Sequence, residues 1–288
     1  MIYLKKKLNI IECKRKDLDF TSQIEVNIWF KKFRPNIVVN AAGKVGGILD
    51  NSLNKLDYIY TNTMIGFNLI NASLLFDVKK FINLGSACIY PKENKQPIKE
   101  EYLLSSFLEE SNEGYALAKI STLKYCEYIK FFLKKDFISL QPTNLYGERD
   151  NFDLSSSHVI PALIRKFHNS KKNNKNFVEV WGSGLAKREF MHVKDLAEAI
   201  YFCLNKKINH SFMNIGSGNY VSIRNLAELI KKITNYKGKI YYNKKYPDGV
   251  LKRSLDVTRI KKLGWYSKIS LEDGLQEYYE YFKKLNLE

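Results

Sequence analysis

Short runs of β-branched and apolar residues alternate along this chain with longer segments of helical periodicity. The runs lie at residues 8–12, 36–42, 80–86 and 136–141. Between them, apolar residues recur at helical spacing, as at Ile24, Ile28 and Phe33 or at Ile65, Leu69 and Ala72. This order is typical of consecutive βαβ units. It predicts an α/β fold with a doubly wound, Rossmann-like parallel sheet.

The alternation weakens after Gly147, which suggests a second domain. Residues 151–157 are polar, and residues 171–176 have the composition of an exposed loop. We expect a dinucleotide-binding domain over residues 1–147 and a smaller C-terminal α/β substrate domain over residues 148–288. Part of the segment at about 189–218 is expected to return to the first domain.

The charge composition argues against a nucleic-acid partner. The chain has 47 Lys and Arg against 30 Asp and Glu, a net charge of +17. Its basic residues are 39 Lys and only 8 Arg, scattered along the whole length. Proteins that bind nucleic acid favour Arg and concentrate their charge on one face. No apolar run approaches the roughly 18 residues of a membrane span, so no membrane partner is expected.

The cysteines indicate a reducing compartment. Cys13, Cys88, Cys126 and Cys203 form no CxxC pair and have no zinc or disulfide spacing. The first residues lack the apolar segment of a secretory signal. We therefore expect a cytoplasmic protein without a bound metal.

The strongest local signal is the YxxxK pattern of Tyr115 and Lys119. This spacing places both side chains on one face of a helix. A lysine one turn away would lower the tyrosine pKa, so that the phenol could donate a proton to a carbonyl under reduction. By itself, the pattern is also that of an ordinary helix face.

A second signal is the apolar run 81–84, which leads directly into Ser86 and Cys88. Open α/β sheets bind ligands at the carboxyl ends of their strands. Ser86 could therefore hydrogen-bond the same carbonyl oxygen as Tyr115, although turn formation is an alternative role for Ser86, as burial is for Cys88. His158 follows a later strand and is expected at the same edge, although a lone histidine is more often structural.

Several ordered motifs together resemble the GDP-L-fucose synthase family of extended short-chain dehydrogenases/reductases. They lie at 42–48, 85–91, Tyr115 with Lys119, 142–147, 157–161, 180–184, 188–190, 247–249 and 255–258. The resemblance implies NADPH-dependent 3,5-epimerisation and 4-reduction of GDP-4-keto-6-deoxy-D-mannose to GDP-L-fucose, in a homodimer. A different GDP-4-keto-deoxysugar as substrate remains an alternative.

The resemblance also assigns roles to individual residues. It makes Tyr115 the proton donor, with Lys119 and Ser86 as its partners, and Cys88 with His158 the epimerising pair. A proton α to a ketone is acidic enough for a thiolate or an imidazole to remove, which independently suits that pair. The cofactor would be lined by Leu84, Gly85, Ser86, Ala87, Lys119, Pro142, Thr143, Asn144, Leu145 and His158. The substrate would contact Lys166, Trp181, Arg188, Asp248 and Arg253. Lys166 and Arg253 each exchange one basic residue type for the other relative to the family pattern.

The first 42 residues fit the family least well. Lys14 and Arg15 would favour the 2′-phosphate of NADP over NAD, whereas Glu12 favours NAD. No glycine precedes Gly43, so the usual glycine-rich phosphate turn has no counterpart. We therefore expect weak NADPH binding and low stability, which a further strand and turn would restore. A catalytically impaired nucleotide-sugar-binding protein is the alternative, but the presence of Ser86, Cys88, Tyr115, Lys119 and His158 argues against it.

Overall fold

Helices and short strands alternate along the chain in the computed structural model. The structure describes residues 8–14, 16–154, 156–246, 248 and 250–285. In chain order the elements are α1 (Gln23–Phe33), β1 (Ile37–Asn40), α2 (Ile48–Leu53), α3 (Lys55–Leu75), β2 (Lys80–Leu84), α4 (Glu113–Leu133), β3 (Asp136–Pro142), β4 (Asn144–Tyr146), α5 (Val159–Lys172), β5 (Phe177–Trp181), β6 (Lys187–His192), α6 (Val193–Leu204), β7 (Phe212–Ile215), β8 (Tyr220–Ser222), α7 (Ile223–Thr234), β9 (Lys239–Asn243), β10 (Lys252–Arg253), α8 (Thr258–Lys262) and α9 (Leu271–Lys284).

The main sheet is parallel and is covered on both faces. Its strands lie in the order β1-β2-β3-β7. On one face, the rings of Phe81 and Phe137 stack with centroids 5.2 Å apart, within a core that includes residues of α1, α3 and α4. On the other face, Ile82 and Ile138 pack in a second core that includes residues of α6. Burial of both faces explains the continuous apolar runs and confirms the predicted doubly wound α/β fold.

The remaining strands form two smaller sheets. β6 lies between β10 and β4, with β8 antiparallel to β6, and β5 pairs with β9. The chain leaves the main sheet at Thr143, between β3 and β4, and returns to it at β7. The chain leaves the main sheet at the carboxyl end of β3, so β4 begins there and pairs with β6.

Three of the four predicted strands of the main sheet form, and one does not. β1, β2 and β3 fall within or beside the predicted runs, whereas residues 8–12 form no strand. A strand requires a hydrogen-bonded neighbour, and among the described residues no strand pairs with the outer edge of β1. Ile37 and Val39 on β1 are exposed there, at 43% and 38%. The prediction of a strand at 8–12 was therefore wrong.

Helix α1 forms as predicted, but its buried face differs from the expected one. Ser22 caps the helix by accepting a hydrogen bond from the Glu25 backbone N–H. Val26 and Phe30 face the core, whereas Ile24 and Ile28 are exposed at 74% and 62%. The helix carries apolar residues on more than one side, so spacing alone could not identify the side that packs.

Candidate active site

The turn after β2 is held by the end of β3. The Gly85 N–H donates to the Leu140 carbonyl oxygen at 2.8 Å, and the Ser86 N–H donates to Gln141 Oε1 at 2.9 Å. A Cβ at Gly85 would lie 1.9 Å from that same Oε1, so this close approach requires glycine. Ser86 Oγ accepts a hydrogen bond from the Cys88 N–H at 3.1 Å. Ser86 and the partly buried Cys88 therefore share one fixed turn.

Gln141 is a site residue that the sequence argument missed. Its side chain is fully buried at the end of an apolar strand, and its Nε2 has no hydrogen-bond partner among the described residues. Its only signal in the sequence was a polar residue within a run of apolar ones. Its contact with Ser86 joins residues 55 positions apart, which no local pattern reveals.

Tyr115 and Lys119 lie one turn apart on α4, beside this turn. The Lys119 ammonium donates to the Leu84 carbonyl oxygen at 3.0 Å and lies 5.7 Å from the centroid of the Tyr115 ring. Burial of this lysine lowers its pKa to about 8. The structure thus brings Ser86, Cys88, Tyr115 and Lys119 together at the carboxyl end of β2.

The pKa of Tyr115 is shifted upwards, whereas the sequence argument expected a downward shift. Burial raises the pKa of its phenol, and the negative charge available to Cys88 acts in the same direction. A hydrogen bond with Ser86 lowers the pKa but does not outweigh burial. Lys119, which we expected to lower this pKa, is not among the groups that shift it, and its ammonium donates to the Leu84 carbonyl oxygen.

His158 occupies the N-terminal cap of α5 and is exposed. Two residues earlier, the Ser156 carbonyl oxygen accepts a hydrogen bond from the Gly47 N–H at 3.1 Å. The largely buried Asp150 lies within electrostatic range of the imidazole, although burial still raises the Asp150 pKa. No contact described for the chain joins His158 to Ser86, Cys88 or Tyr115.

The cofactor candidates downstream of β3 lie at the same sheet edge. Pro142 ends β3, and the Thr143 N–H donates to the Ile215 carbonyl oxygen at 2.9 Å. Asn144 Nδ2 donates to the Glu189 carbonyl oxygen at 2.8 Å, and Leu145 lies in β4. These contacts position the segment between β7 and β6. Leu84 and Ala87 flank the turn after β2.

Of the two predicted NADP-selecting residues, the structure describes Lys14, and no described contact joins it to this site. Lys14 is exposed, and its backbone N–H donates to Asp17 Oδ2 at 3.0 Å. Arg15 lies outside the described residues. The expected contact between this segment and the ribose 2′-phosphate therefore stays a prediction.

Two of the substrate candidates lie on an aromatic surface. The rings of Trp181 and Tyr246 stack with centroids 4.4 Å apart and an interplanar angle of 13°. Lys166 Nζ lies 4.8 Å from the Trp181 centroid and donates to the Glu179 carbonyl oxygen at 3.1 Å. Burial lowers the Lys166 pKa. Tyr246 was missed by the sequence argument, since only its stacking on Trp181 reveals it.

The other three substrate candidates lie around the first residues of β6. Arg188 Nη1 donates to the Val250 carbonyl oxygen at 2.5 Å, and its Nη2 donates to the Asp248 carbonyl oxygen at 3.3 Å. Asp248 Oδ1 accepts from the Ser183 N–H at 2.7 Å. Arg253 on β10 pairs with Arg188 across the sheet. Burial lowers the Arg188 pKa, and the charge of Arg253 lowers it further, so an anion placed between them would be stabilised.

Glu189 follows Arg188 on β6 and is fully buried. Its Oε2 accepts from the Leu255 N–H at 2.7 Å, and its Oε1 accepts from the Gly218 N–H at 2.8 Å. These hydrogen bonds join β6 to two loops beside the substrate candidates. Burial still raises the Glu189 pKa.

The described residues contain neither a candidate metal centre nor a candidate membrane span. Within the described part of the chain, no group of three or more His, Cys, Asp or Glu side chains could hold a metal ion. None of the helices in that part is long and apolar enough to cross a membrane.

Comparison with known proteins identifies the family. Residues 3–216 match the model of the NAD dependent epimerase/dehydratase family. GDP-L-fucose synthase 1 of Arabidopsis thaliana is 44% identical over 96% of this chain and 85% of its own length. GDP-L-fucose synthase of Escherichia coli (strain K12) is 44% identical over 93% of this chain and 86% of its own. A crystal structure of a GDP-L-fucose synthetase from Naegleria fowleri bound to NADP superposes with a TM-score of 0.90. It shares 26% identity and covers 98% of this chain and 88% of that one.

Fold, site and comparisons define a Rossmann-type nucleotide-sugar enzyme of the extended short-chain dehydrogenase/reductase class. The chain belongs to the NAD dependent epimerase/dehydratase family. Within that family it is similar to the GDP-L-fucose synthases.

The residues at the carboxyl end of β2 fit the nicotinamide half of a dinucleotide. Lys119 makes one described hydrogen bond, to Leu84, although an ammonium group has three N–H donors. A Cβ at Gly43 would lie 3.5 Å from Lys119 Nζ, so the backbone of β1's end approaches the lysine closely. The donor set thus suits ribose hydroxyls and a carboxamide between these two strand ends.

Proposed function

We propose that this protein converts GDP-4-keto-6-deoxy-D-mannose to GDP-L-fucose by 3,5-epimerisation and NADPH-dependent 4-reduction, in one multifunctional site. The observation that carries the proposal is the convergence of Ser86, Cys88, Tyr115 and Lys119 at one strand end. The similarity to GDP-L-fucose synthases over most of the chain supports the choice of substrate.

NADPH is the cofactor and supplies the hydride that reaches C4 of the sugar. Lys119 would hold the ribose next to the nicotinamide, since its ammonium has N–H groups beyond the one bound to Leu84. The residues that would line the cofactor are Leu84, Gly85, Ser86, Ala87, Pro142, Thr143, Asn144, Leu145 and His158. Lys14 and Arg15 would contact the 2′-phosphate.

Tyr115 and Ser86 would act on the C4 carbonyl. As hydride reaches C4, negative charge develops on its oxygen, and Tyr115 donates a proton to it while Ser86 donates a hydrogen bond. Proton donation of this kind typically contributes about 10²–10⁴-fold in rate. The Lys119 ammonium, 5.7 Å from the centroid of the Tyr115 ring, would stabilise the phenolate that forms.

Cys88 and His158 would carry out the epimerisations. C3 and C5 both lie α to the C4 ketone, so either C–H bond can be broken with its electron pair delocalised onto the carbonyl oxygen. One of the two side chains removes the proton from one face, and the other returns a proton to the opposite face. Ser86 and Tyr115 stabilise the enolate oxygen by hydrogen bonding.

The five substrate candidates would bind the GDP group. The indole of Trp181 offers a face for the guanine ring, and Lys166 adds positive charge beside it. Arg188 and Arg253 would neutralise the diphosphate. Asp248, fixed by Ser183, keeps the loop next to Arg188 in place.

We also propose a homodimer formed by α3 and α4. These helices pack against each other and leave large apolar side chains exposed on one side. Leu56 is exposed at 86%, and Leu117, Tyr128 and Phe132 are exposed at 40%, 54% and 70%. A two-helix surface of this kind can bury itself against its own copy around a two-fold axis. Sedimentation of Leu117→Glu and Tyr128→Glu variants should give monomers where the wild type gives dimers.

We further propose that the chain has two domains and acts in the cytoplasm. Residues 1–147 would hold the dinucleotide and residues 148–288 would mainly hold the GDP-sugar, with β7 as the returning segment. The four cysteines, which form no disulfide in the structure, suit the reducing cytoplasm.

The test is incubation of the purified protein with GDP-4-keto-6-deoxy-D-mannose and NADPH in deuterated water. We expect NADPH oxidation and GDP-L-fucose that carries deuterium at C3 and C5. A reduced sugar with its original C3 and C5 configuration would mean that the chain only reduces. Nucleotide-sugar binding without turnover would mean that it is a binding protein.

A further inference from the structure

The segment of residues 43–47 connects the two halves of the candidate active site. At one end, a Cβ at Gly43 would lie 3.5 Å from Lys119 Nζ. At the other end, the Gly47 N–H donates to the Ser156 carbonyl oxygen at 3.1 Å, two residues before His158. The position of this segment therefore sets where His158 lies relative to the YxxxK helix.

Two side chains, the buried Tyr58 and the carboxylate of Asp50, pack against the middle of this segment at Gly46. Tyr58 on α3 is fully buried, and its hydroxyl donates to Asp50 Oδ2 at 2.5 Å. The other oxygen of the same carboxylate accepts from Asn54 Nδ2 at 2.6 Å. A Cβ at Gly46 would lie 2.3 Å from the Tyr58 hydroxyl oxygen and 2.4 Å from Asp50 Oδ2. The hydrogen-bonded pair therefore lies directly against the Gly46 backbone.

The opposite side of the segment is held by two asparagines. Asn51 Nδ2 donates to the Gly46 carbonyl oxygen at 2.8 Å and to the Gly47 carbonyl oxygen at 3.0 Å. Asn62 Oδ1 accepts from the Lys44 N–H at 2.9 Å. The Tyr58–Asp50 pair adds a further contact, and it limits how far Gly46 can move towards α3.

Tyr58 also contacts the reducing half directly. Its ring meets that of Tyr115 edge-on, with centroids 6.3 Å apart and an interplanar angle of 78°. The buried side chain of Tyr58 thus contacts the proposed proton donor. Through Asp50 and Gly46 it also contacts the segment that binds Ser156, two residues before His158. Neither the Tyr58 nor the Asp50 side chain is one of the proposed reacting groups, so any effect on the chemistry acts through geometry.

We propose that Tyr58, through its hydrogen bond to Asp50, is a positioning residue that keeps His158 at a working distance from the sugar held by Ser86 and Tyr115. This inference rests on the proposed function. A displacement of about 1 Å can cost on the order of a hundredfold in rate. Loss of the hydroxyl leaves the ring contact with Tyr115 in place but removes the hydrogen bond to Asp50, which acts through Gly46 on the segment bound to Ser156, so epimerisation should be impaired more than reduction.

The experiment compares Tyr58→Phe with wild type by product composition. Tyr58→Phe keeps the ring that packs on Tyr115 and removes only the donor to Asp50. With NADPH, we expect at least a several-fold shift towards reduced sugar that keeps the original C3 and C5 configuration. With NADP⁺ in place of NADPH, deuterium exchange at C3 and C5 should slow by a similar factor.

Three further variants make the result specific. Asp50→Asn keeps one of the two acceptor oxygens and should shift the product less than Tyr58→Phe, whereas Asp50→Ala should reproduce the full shift. Tyr60→Phe is the matched control, because it makes the same change on an exposed residue of the same helix.

The outcomes separate this inference from the proposed function. If the wild type forms the epimerised product and Tyr58→Phe forms it in the same proportion, the positioning role is refuted and the proposed function stands. An equal fall of exchange and reduction in Tyr58→Phe would also refute it, since that result indicates a general structural effect. If the wild type neither exchanges nor reduces, both proposals fall.

Discussion

The Lys119 ammonium donates a hydrogen bond to the carbonyl oxygen of Leu84, the last residue of β2, at 3.0 Å. This bond joins the YxxxK helix to the strand that carries Ser86 and Cys88. It holds Tyr115, the proposed proton donor, and Ser86, the proposed carbonyl-binding residue, at a fixed relative position. Lys119 therefore connects α4 to β2 through one of its three N–H groups, and the other two can donate to a ligand.

Tyr115→Phe should abolish reduction of the ketone while leaving GDP-sugar affinity nearly unchanged. The phenol is required to donate a proton mainly in the transition state, so its loss should lower kcat by about 10²-fold or more. Stopped-flow measurement of NADPH oxidation, beside calorimetric titration with a GDP-sugar, separates the two effects. Weaker binding with unchanged turnover would show that Tyr115 only holds the substrate.

Cys88→Ser and His158→Asn should each slow exchange of the C3 and C5 protons more than hydride transfer. In the proposed reaction these two side chains serve as acid and base on opposite faces of the sugar. Deuterium incorporation, followed by NMR with NADP⁺ present, measures the exchange alone. Full exchange in both variants would place the epimerising groups elsewhere.

The value of kcat/KM for reduction should fall as the pH rises above about 8. Burial lowers the Lys119 pKa to about 8, so the ammonium that assists proton donation loses its charge above that pH. Lys119→Met should be slow at every pH and should lack this alkaline limb. Lys124→Met, on the same helix, should retain it. Persistence of the limb in Lys119→Met would assign it to another group.

The protein should lose stability as the pH falls below about 6.5. His192 is buried, its Nδ1 accepts from the Lys194 N–H at 3.3 Å, and burial lowers its pKa. The unfolded chain therefore takes up a proton that the folded chain resists, and stability is fully present only above the unfolded pKa.

The variant His192→Asn tests this pH dependence. Asparagine keeps an acceptor for the Lys194 N–H but does not titrate. The drop in Tm between about pH 7.5 and 5.5 should be smaller than in wild type, though not zero, because the His168 and His210 pKa values are also lowered. An unchanged drop in His192→Asn would contradict the assignment.

The sequence predicted those features that depend on neighbours along the chain. Buried strands such as β2 and β3 are marked by continuous apolar runs, and the Tyr115–Lys119 spacing lies within one helix. The strand expected at 8–12 failed because a strand requires a partner, which the run itself cannot supply.

The missed parts of the site are contacts between distant segments. The bond from the Ser86 N–H to Gln141 and the stacking of Trp181 on Tyr246 each join residues far apart in sequence. The Tyr58–Asp50 pair spans two adjacent helices, and its importance depends on the backbone of Gly46 beneath it. A single sequence shows the residue types at such positions, but it does not show which of them contact each other.

Strand β6 places consecutive side chains in different surroundings. Arg188 reaches the carbonyl oxygens of Asp248 and Val250, while Glu189 is buried and bound to the N–H groups of Leu255 and Gly218. Side chains alternate along a strand with a period of two, so inserting or deleting one residue here would exchange the two positions. A buried guanidinium would then face N–H donors and an acidic group would face the diphosphate site. We therefore expect the loops that flank β6 to tolerate changes of length that β6 itself does not.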